Sequence, residues 1–212
     1  MRKLAFAGLL SLLFVLPVRA VTIGPKAPDG TEPAIDLPMK LRKANIRSLG
    51  LGCCVFRSIE FSAHWQNLPQ FYGFPEWLVA NRIPGGGWPQ KVDKLIPRIC
   101  ADRNLPVPKY IQVQTKDLEI LRLAIRTGRM PAITYTQSHM VSLVHADAKW
   151  FGILDNNRIN TIEWRNEREF NQIYTGWAVI FLAPGPPPIP LNSSPDKVIP
   201  SPSPQPCPGP EP

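Results

Sequence analysis

The chain has 212 residues, 44% of them hydrophobic, and carries 24 Lys and Arg against 16 Asp and Glu, a formal net charge of +8. Its basic residues are scattered except at Lys40, Arg42 and Lys43, which argues against a nucleic-acid-binding surface and leaves only weak attraction to anionic cell-surface polymers. Four cysteines without a CxxC spacing, beside three histidines, argue against a zinc site, and no metal or other cofactor is expected.

Arg2 and Lys3 precede an apolar run from Leu4 to Val18, which leads into the small-x-small site Val18-Arg19-Ala20. A basic start, a short apolar stretch and such a site describe a secretory signal peptide over residues 1–20, cut after Ala20. A spanning helix would need about 18–20 apolar residues, and this run is shorter and carries Pro17 near its end. The mature protein is therefore expected to be secreted or periplasmic, with no membrane span. Loss of Arg2, Lys3 and Arg19 takes its net charge from +8 to +5. Residues 21–44, rich in Gly and Pro, read as an extended lead-in to a folded domain over residues 45–184, near the commonest size for one domain.

Within that domain a glycine-bounded turn, Gly50 to Gly52, opens a helix. Phe56, Ile59 and Ala63 recur at helical spacing, and Cys53 and Cys54 fall in the first turn. FPEWLVANRI predicts a short helix stopped by Pro84 and Gly85 to Gly87. WPQKVDKLIPRICADRN predicts another, with Val92, Leu95, Ile96 and Ile99 inward and Pro97 as a kink point. IQV is a short strand, and Thr115 is the expected cap of a helix over KDLEILRLAIRTG, closed by Gly128. The period then changes. MPAITYT, HMVSLVHAD and KWFGILD are strand-like, EWRNEREFNQIY reads as a short helix and GWAVIFLAP as a last strand. Helices followed by a run of strands predict an α+β domain, N-terminal helices packed on an antiparallel sheet. From Pro184 onward the chain holds thirteen of its 26 prolines, so residues 185–212 are expected to be a disordered tail.

Three places carry the chemistry. Cys53 and Cys54 lie at a helix start, where positive potential and free N–H groups favour a thiolate and can face a developing oxyanion. His139 opens one strand and the run Asp155-Asn156-Asn157 closes the next, so a hairpin would set an acid or amide beside the imidazole. Such a partner fixes the tautomer and leaves the other ring nitrogen for the thiol. His64, mid-helix, and His145, at the hairpin turn, read as structural. Tyr135, Trp150 and Trp164 read as core residues rather than groove lining.

A cysteine at a helix N-terminus, then a strand-opening histidine, then Asp or Asn about 16 residues later, resembles the papain-like cysteine peptidase fold. It is most similar to the bacteriocin-processing (double-glycine) peptidase branch and its exported bacterial relatives. GCCVFRS…HWQN, GGGWPQKVD and DNN…EW…GWAVIFLAP carry the likeness, which spans roughly Asn45 to Pro184. The resemblance implies Cys54 as nucleophile, His139 as general base and Asp155 or Asn156 as the residue orienting it. Cys54 is preferred to Cys53 because VFRS follows it directly. The family also places a glutamine a few residues before the cysteine as an oxyanion donor. NIRSLGLG has none, leaving Asn45, Ser48 or backbone N–H groups for that role. With Cys54 kept as a free thiol, Cys53 and Cys100 become the expected disulfide.

These expectations support an exported cysteine peptidase acting on a peptide or protein substrate. A peptidase-like binding module without turnover and a thiol acyltransferase are the alternatives. The absent glutamine favours the module, and the intact Cys, His, Asp/Asn order opposes it.

Overall fold

The computed structural model describes residues 21–44, 52–183, 185 and 186. Residues 1–20, where a signal peptide is expected, Asn45, Ser48 and residues 187–212, most of the expected tail, lie outside the described residues. The described chain is α+β, with six α-helices and a seven-stranded antiparallel sheet among those residues. The helices are α1 (Met39–Ala44), α2 (Cys54–Trp65), α3 (Phe74–Ala80), α4 (Pro89–Asp102), α5 (Leu118–Arg126) and α6 (Glu167–Ile173). The strands are β1 (Thr22–Gly24), β2 (Tyr110–Gln114), β3 (Ala132–Tyr135), β4 (His139–Ala146), β5 (Trp150–Leu154), β6 (Ile162–Asn166) and β7 (Tyr174–Phe181), arranged β1-β6-β5-β4-β3-β7-β2. Among the described residues no helix is long and apolar enough to cross a membrane.

The period-2 pattern read from the strands has a direct structural counterpart. Ala132, Met140, Val179 and Phe181 enter one core, whereas their chain neighbours Ile133, Val141, Ala178 and Ile180 enter another. Alternate side chains of a strand point to opposite faces, so both faces of the central strands are covered. Phe56, Ile59, Phe71, Phe74, Ile96 and Ile99 from α2, α3 and α4 fill the first core. Leu121, Ile125 and Phe170 from α5 and α6, with Phe151 and Tyr174 from the sheet, fill the second. α4 continues through Pro97, with Val92, Leu95, Ile96 and Ile99 buried as their spacing predicts.

Three local expectations are corrected. The segment over residues 21–44 is not an extended lead-in: it supplies edge strand β1, paired with β6, and buries Ala34, Ile35 and Leu37 completely or nearly so. Prolines fix the path here without excluding burial, and Arg42 secures it by donating to the carbonyls of Leu37 and Ile159 and to Asp36. EWRNEREFNQIY is not one helix; Ile162–Asn166 is a strand, and α6 begins only after it. Asn166 and Glu169 form a capping box at that junction, a start signal that the helical reading passed over. The cap of α5 is Asp117, whose carboxylate accepts from the N–H of Glu119 at 2.9 Å, rather than Thr115.

Candidate active site

Cys54 is the first residue of α2 and Cys53 its N-cap. The turn before it depends on Gly52 at φ +89°, where a Cβ would lie 2.2 Å from the backbone nitrogen of Gly86. Gly86 donates to the carbonyl of Gly52 at 2.7 Å, and a Cβ on Gly87 would strike Val55. The Gly85–Gly87 loop is thus seated on the cysteine turn in a way that only glycine permits. Lys91 holds the loop from behind, its Nζ donating to the carbonyls of Pro84, Gly85 and Gly86 at 2.6, 3.0 and 2.8 Å.

His139 begins β4 after a tight turn in which Thr136 adopts φ +62°, a conformation that β-branched residues seldom take. Its Nε2 lies 2.8 Å from Asp155 Oδ1, and Cys54 is a second hydrogen-bond partner of the ring. With Nε2 on the carboxylate, Nδ1 is the nitrogen left for the thiol. The pairing of Ser142 with Leu154 puts His139 opposite the segment beyond the end of β5, so Asp155 reaches it from the first residue after that strand. Asn157 completes the turn. Its backbone N–H donates to Asp155 Oδ1 at 2.8 Å, and its Nδ2 lies 3.4 Å from His139 Nε2.

These contacts set the charges. Burial by itself pushes the Cys54 thiol up, but hydrogen bonds to His139 and to the N–H groups of Met140 and Val55, with the histidine's charge, outweigh it, and the net shift is down. Asp155 and Cys54 hold the His139 proton against its burial and push its pKa up to about 9. Asp155 is itself shifted down: the hydrogen bonds from His139 and the Asn157 N–H overcome the upward push of burial. A thiol lowered beside an imidazole raised favours the thiolate–imidazolium pair near neutral pH. Cys53 behaves oppositely. It is buried, and burial raises its thiol.

Asp155 and Asn156 are separated in role by the structure. Asn156 turns inward, only 5% exposed, and its Nδ2 lies within hydrogen-bond distance of the Cys54 carbonyl, Ser58 Oγ and the Met140 carbonyl. It ties the start of α2 to the start of β4 and does not touch His139. The expected Cys53–Cys100 disulfide is corrected: Cys53, Cys54 and Cys100 are all free thiols. Cys53 caps α2 and Cys100 is buried on the inner face of α4 with Ile96 and Ile99, each without a bridge. Asn45 and Ser48 lie outside the described residues, so the donors described at the site are backbone N–H groups at the start of α2.

The other histidines are structural, as read. His64 stacks on Tyr72 at 4.1 Å and lies 3.5 Å from Glu60. His145 is fully buried against Trp164. Tyr135 bonds Glu163, and Trp164 donates to the Gly24 carbonyl at 3.1 Å. The sequence reading missed Ser58 and Lys91, whose parts depend on contacts distant in the chain. Comparison of the chain with protein-family models and with curated proteins finds no match.

Proposed function

We propose that this protein is an exported, papain-like cysteine peptidase, a thiol hydrolase of peptide or amide bonds. The observation that carries the reading is the continuous chain from Cys54 through His139 to Asp155, built on the first residue of a helix. An α+β architecture with α2 packed against strand β4 is compatible with that fold, and the apolar run after Arg2 and Lys3 supports export.

In this mechanism the Cys54 thiolate attacks the substrate carbonyl carbon, and N–H groups at the start of α2 face the resulting oxyanion. His139 gives its proton to the departing amine, leaving a thioester on Cys54. Water then attacks the thioester, His139 takes its proton, and the carboxylic acid leaves as the thiolate returns. Asp155 keeps the imidazole in the required tautomer and stabilises its charged form.

Two measurements on the full-length protein test this. Iodoacetamide should alkylate Cys54 at neutral pH faster than a cysteine in the denatured chain, and a peptide library should be cleaved by the wild type and not by Cys54→Ala. Rapid alkylation without cleavage or acyl transfer would instead indicate a binding module that keeps the fold.

A further inference from the structure

Strand β4 extends past its partner at the end that carries His139. Continued by two residues, the pairing of Ser142 with Leu154 would set Met140 opposite Asn156, but β5 ends at Leu154. Leu143 donates its N–H to the carbonyl of Pro131, on the β3 side. Alternate residues of an antiparallel strand direct their backbone groups to opposite edges, and the N–H and C=O of one residue share an edge. Those of Met140, three residues before Leu143, therefore both face the side where β5 has ended. Side chains take the place of a strand partner there. The Met140 carbonyl accepts from Asn156 Nδ2 at 2.8 Å and from Ser58 Oγ at 3.0 Å, while the Met140 N–H donates to the sulfur of Cys54.

The same Nδ2 lies 2.9 Å from Ser58 Oγ and 3.2 Å from the carbonyl of Cys54. One amide thus grips the backbone of Cys54 and of Met140 at once. All three partners offer it an acceptor, because Ser58 directs its own hydrogen to Met140. The position calls for a neutral group with two hydrogens on one nitrogen, and a carboxylate would meet only acceptors. Asn156 is 5% exposed and Ser58 fully buried, so the clamp is shielded from competing water.

We propose that Asn156 is a positioning residue for the nucleophile: by fixing the Met140 carbonyl against that of Cys54, it aims the Met140 N–H at the sulfur. The inference rests on the proposed role of Cys54. A fixed backbone donor needs no reorganisation when charge gathers on sulfur. It therefore serves the thiolate twice, before attack on the substrate and again when water displaces the acyl group. Asn156 acts in this without touching the sulfur or the imidazole.

The test is the pH profile of Cys54 alkylation by iodoacetamide in the full-length protein, read by peptide mapping beside urea melts and peptide cleavage. Asn156→Ala and the volume-matched Asn156→Leu should each raise the thiol midpoint by about one pH unit, the effect of one lost charge-assisted hydrogen bond. Ser58→Ala, which keeps the amide, should raise it by about half a unit. The His139 ring, held first by Asp155, should titrate as in the wild type. His145→Ala is the control for general loosening and should keep the wild-type midpoint. His139 and Asp155 beside the sulfur, and Arg57, Glu76 and Lys91 around the adjoining Cys53, are unchanged in every variant. A wild-type midpoint in both Asn156 variants overturns the proposal, as does an equal rise in His145→Ala. Should neither Asn156 variant fold, Ser58→Ala decides, and an unmoved midpoint there overturns it. Failure of the peptidase reading looks different: the midpoints move as stated while the wild type cleaves no peptide.

Discussion

Strand β4 carries a histidine near each end, and each lies beside an aspartate. At the entry, His139 Nε2 is 2.8 Å from Asp155; near the exit, His145 Nε2 is 3.1 Å from Asp147 Oδ2. The entry pair is partly exposed, with side-chain accessibilities of 20% and 23%, and the thiol of Cys54 at the start of α2 completes it. The exit histidine is fully buried, edge-on to Trp164 beside Gly152, and neither ring nitrogen is aligned for a hydrogen bond. A histidine and a carboxylate at similar distance therefore do not make a reactive site. What separates the two ends is the candidate nucleophile that α2 brings to the entry histidine, and that pair's partial exposure to solvent.

The contrast breaks most sharply at the thiol. Cys54→Ala should abolish iodoacetamide labelling of the folded domain in the native protein, whereas Cys53→Ala should leave it intact, because burial keeps that second sulfur protonated and covered. Labelled-peptide mapping distinguishes the two. Next come the histidines. His139→Ala should slow Cys54 alkylation about tenfold at neutral pH and move its pH profile toward that of a free thiol near 8.5, since the imidazolium no longer holds the thiolate. His145→Ala should leave the rate unchanged and destabilise the domain by about 1–3 kcal/mol through a buried void. Alkylation kinetics beside urea melts give both readouts, and equal kinetic losses would erase the distinction between the ends.

A finer comparison lies within the turn after β5. Asp155→Ala should let the His139 pKa fall from about 9 toward its ordinary range, observable by NMR titration of the ring. Asn156→Ala should spare that titration but cost about 1–3 kcal/mol of stability, because it removes the buried amide that bridges Cys54, Ser58 and Met140. The smallest effect is in pH dependence. The folded-state pKa of His139 is raised above its unfolded value near 6.5, so its contribution to stability is fully present below about pH 6.5. It is lost as pH rises through about 9. The stability gap between wild type and His139→Ala should thus shrink between pH 6 and pH 10. Peptide turnover should decline over the upper part of that range as His139 loses the proton meant for the leaving amine.

Much of the site could be read before any fold was known. Gly52 followed by the apolar spacing of Phe56, Ile59 and Ala63 marks a helix start at the double cysteine, and the β-branched run after His139 marks a strand that it opens. The third residue could not be chosen. Asp155 and Asn156 are adjacent, both polar, and both compatible with a strand end; which one meets the imidazole depends on how β5 terminates against β4. The Cys53–Cys100 pairing failed for a related reason, since spacing along the chain carries no information on which turn of α4 faces α2.

Periodicity and turn chemistry, which act over a few residues, were sufficient to determine the α+β class and the positions of Cys54 at a helix start and His139 at a strand start. Long-range packing decided the rest: the burial of Ala34, Ile35 and Leu37, the seating of Gly86 on Gly52, and the inward turn of Asn156 away from His139. Those outcomes follow from which surfaces meet, and a local pattern cannot encode them, because the same side chain is stable inside or outside according to the partners that the tertiary fold brings within hydrogen-bond reach.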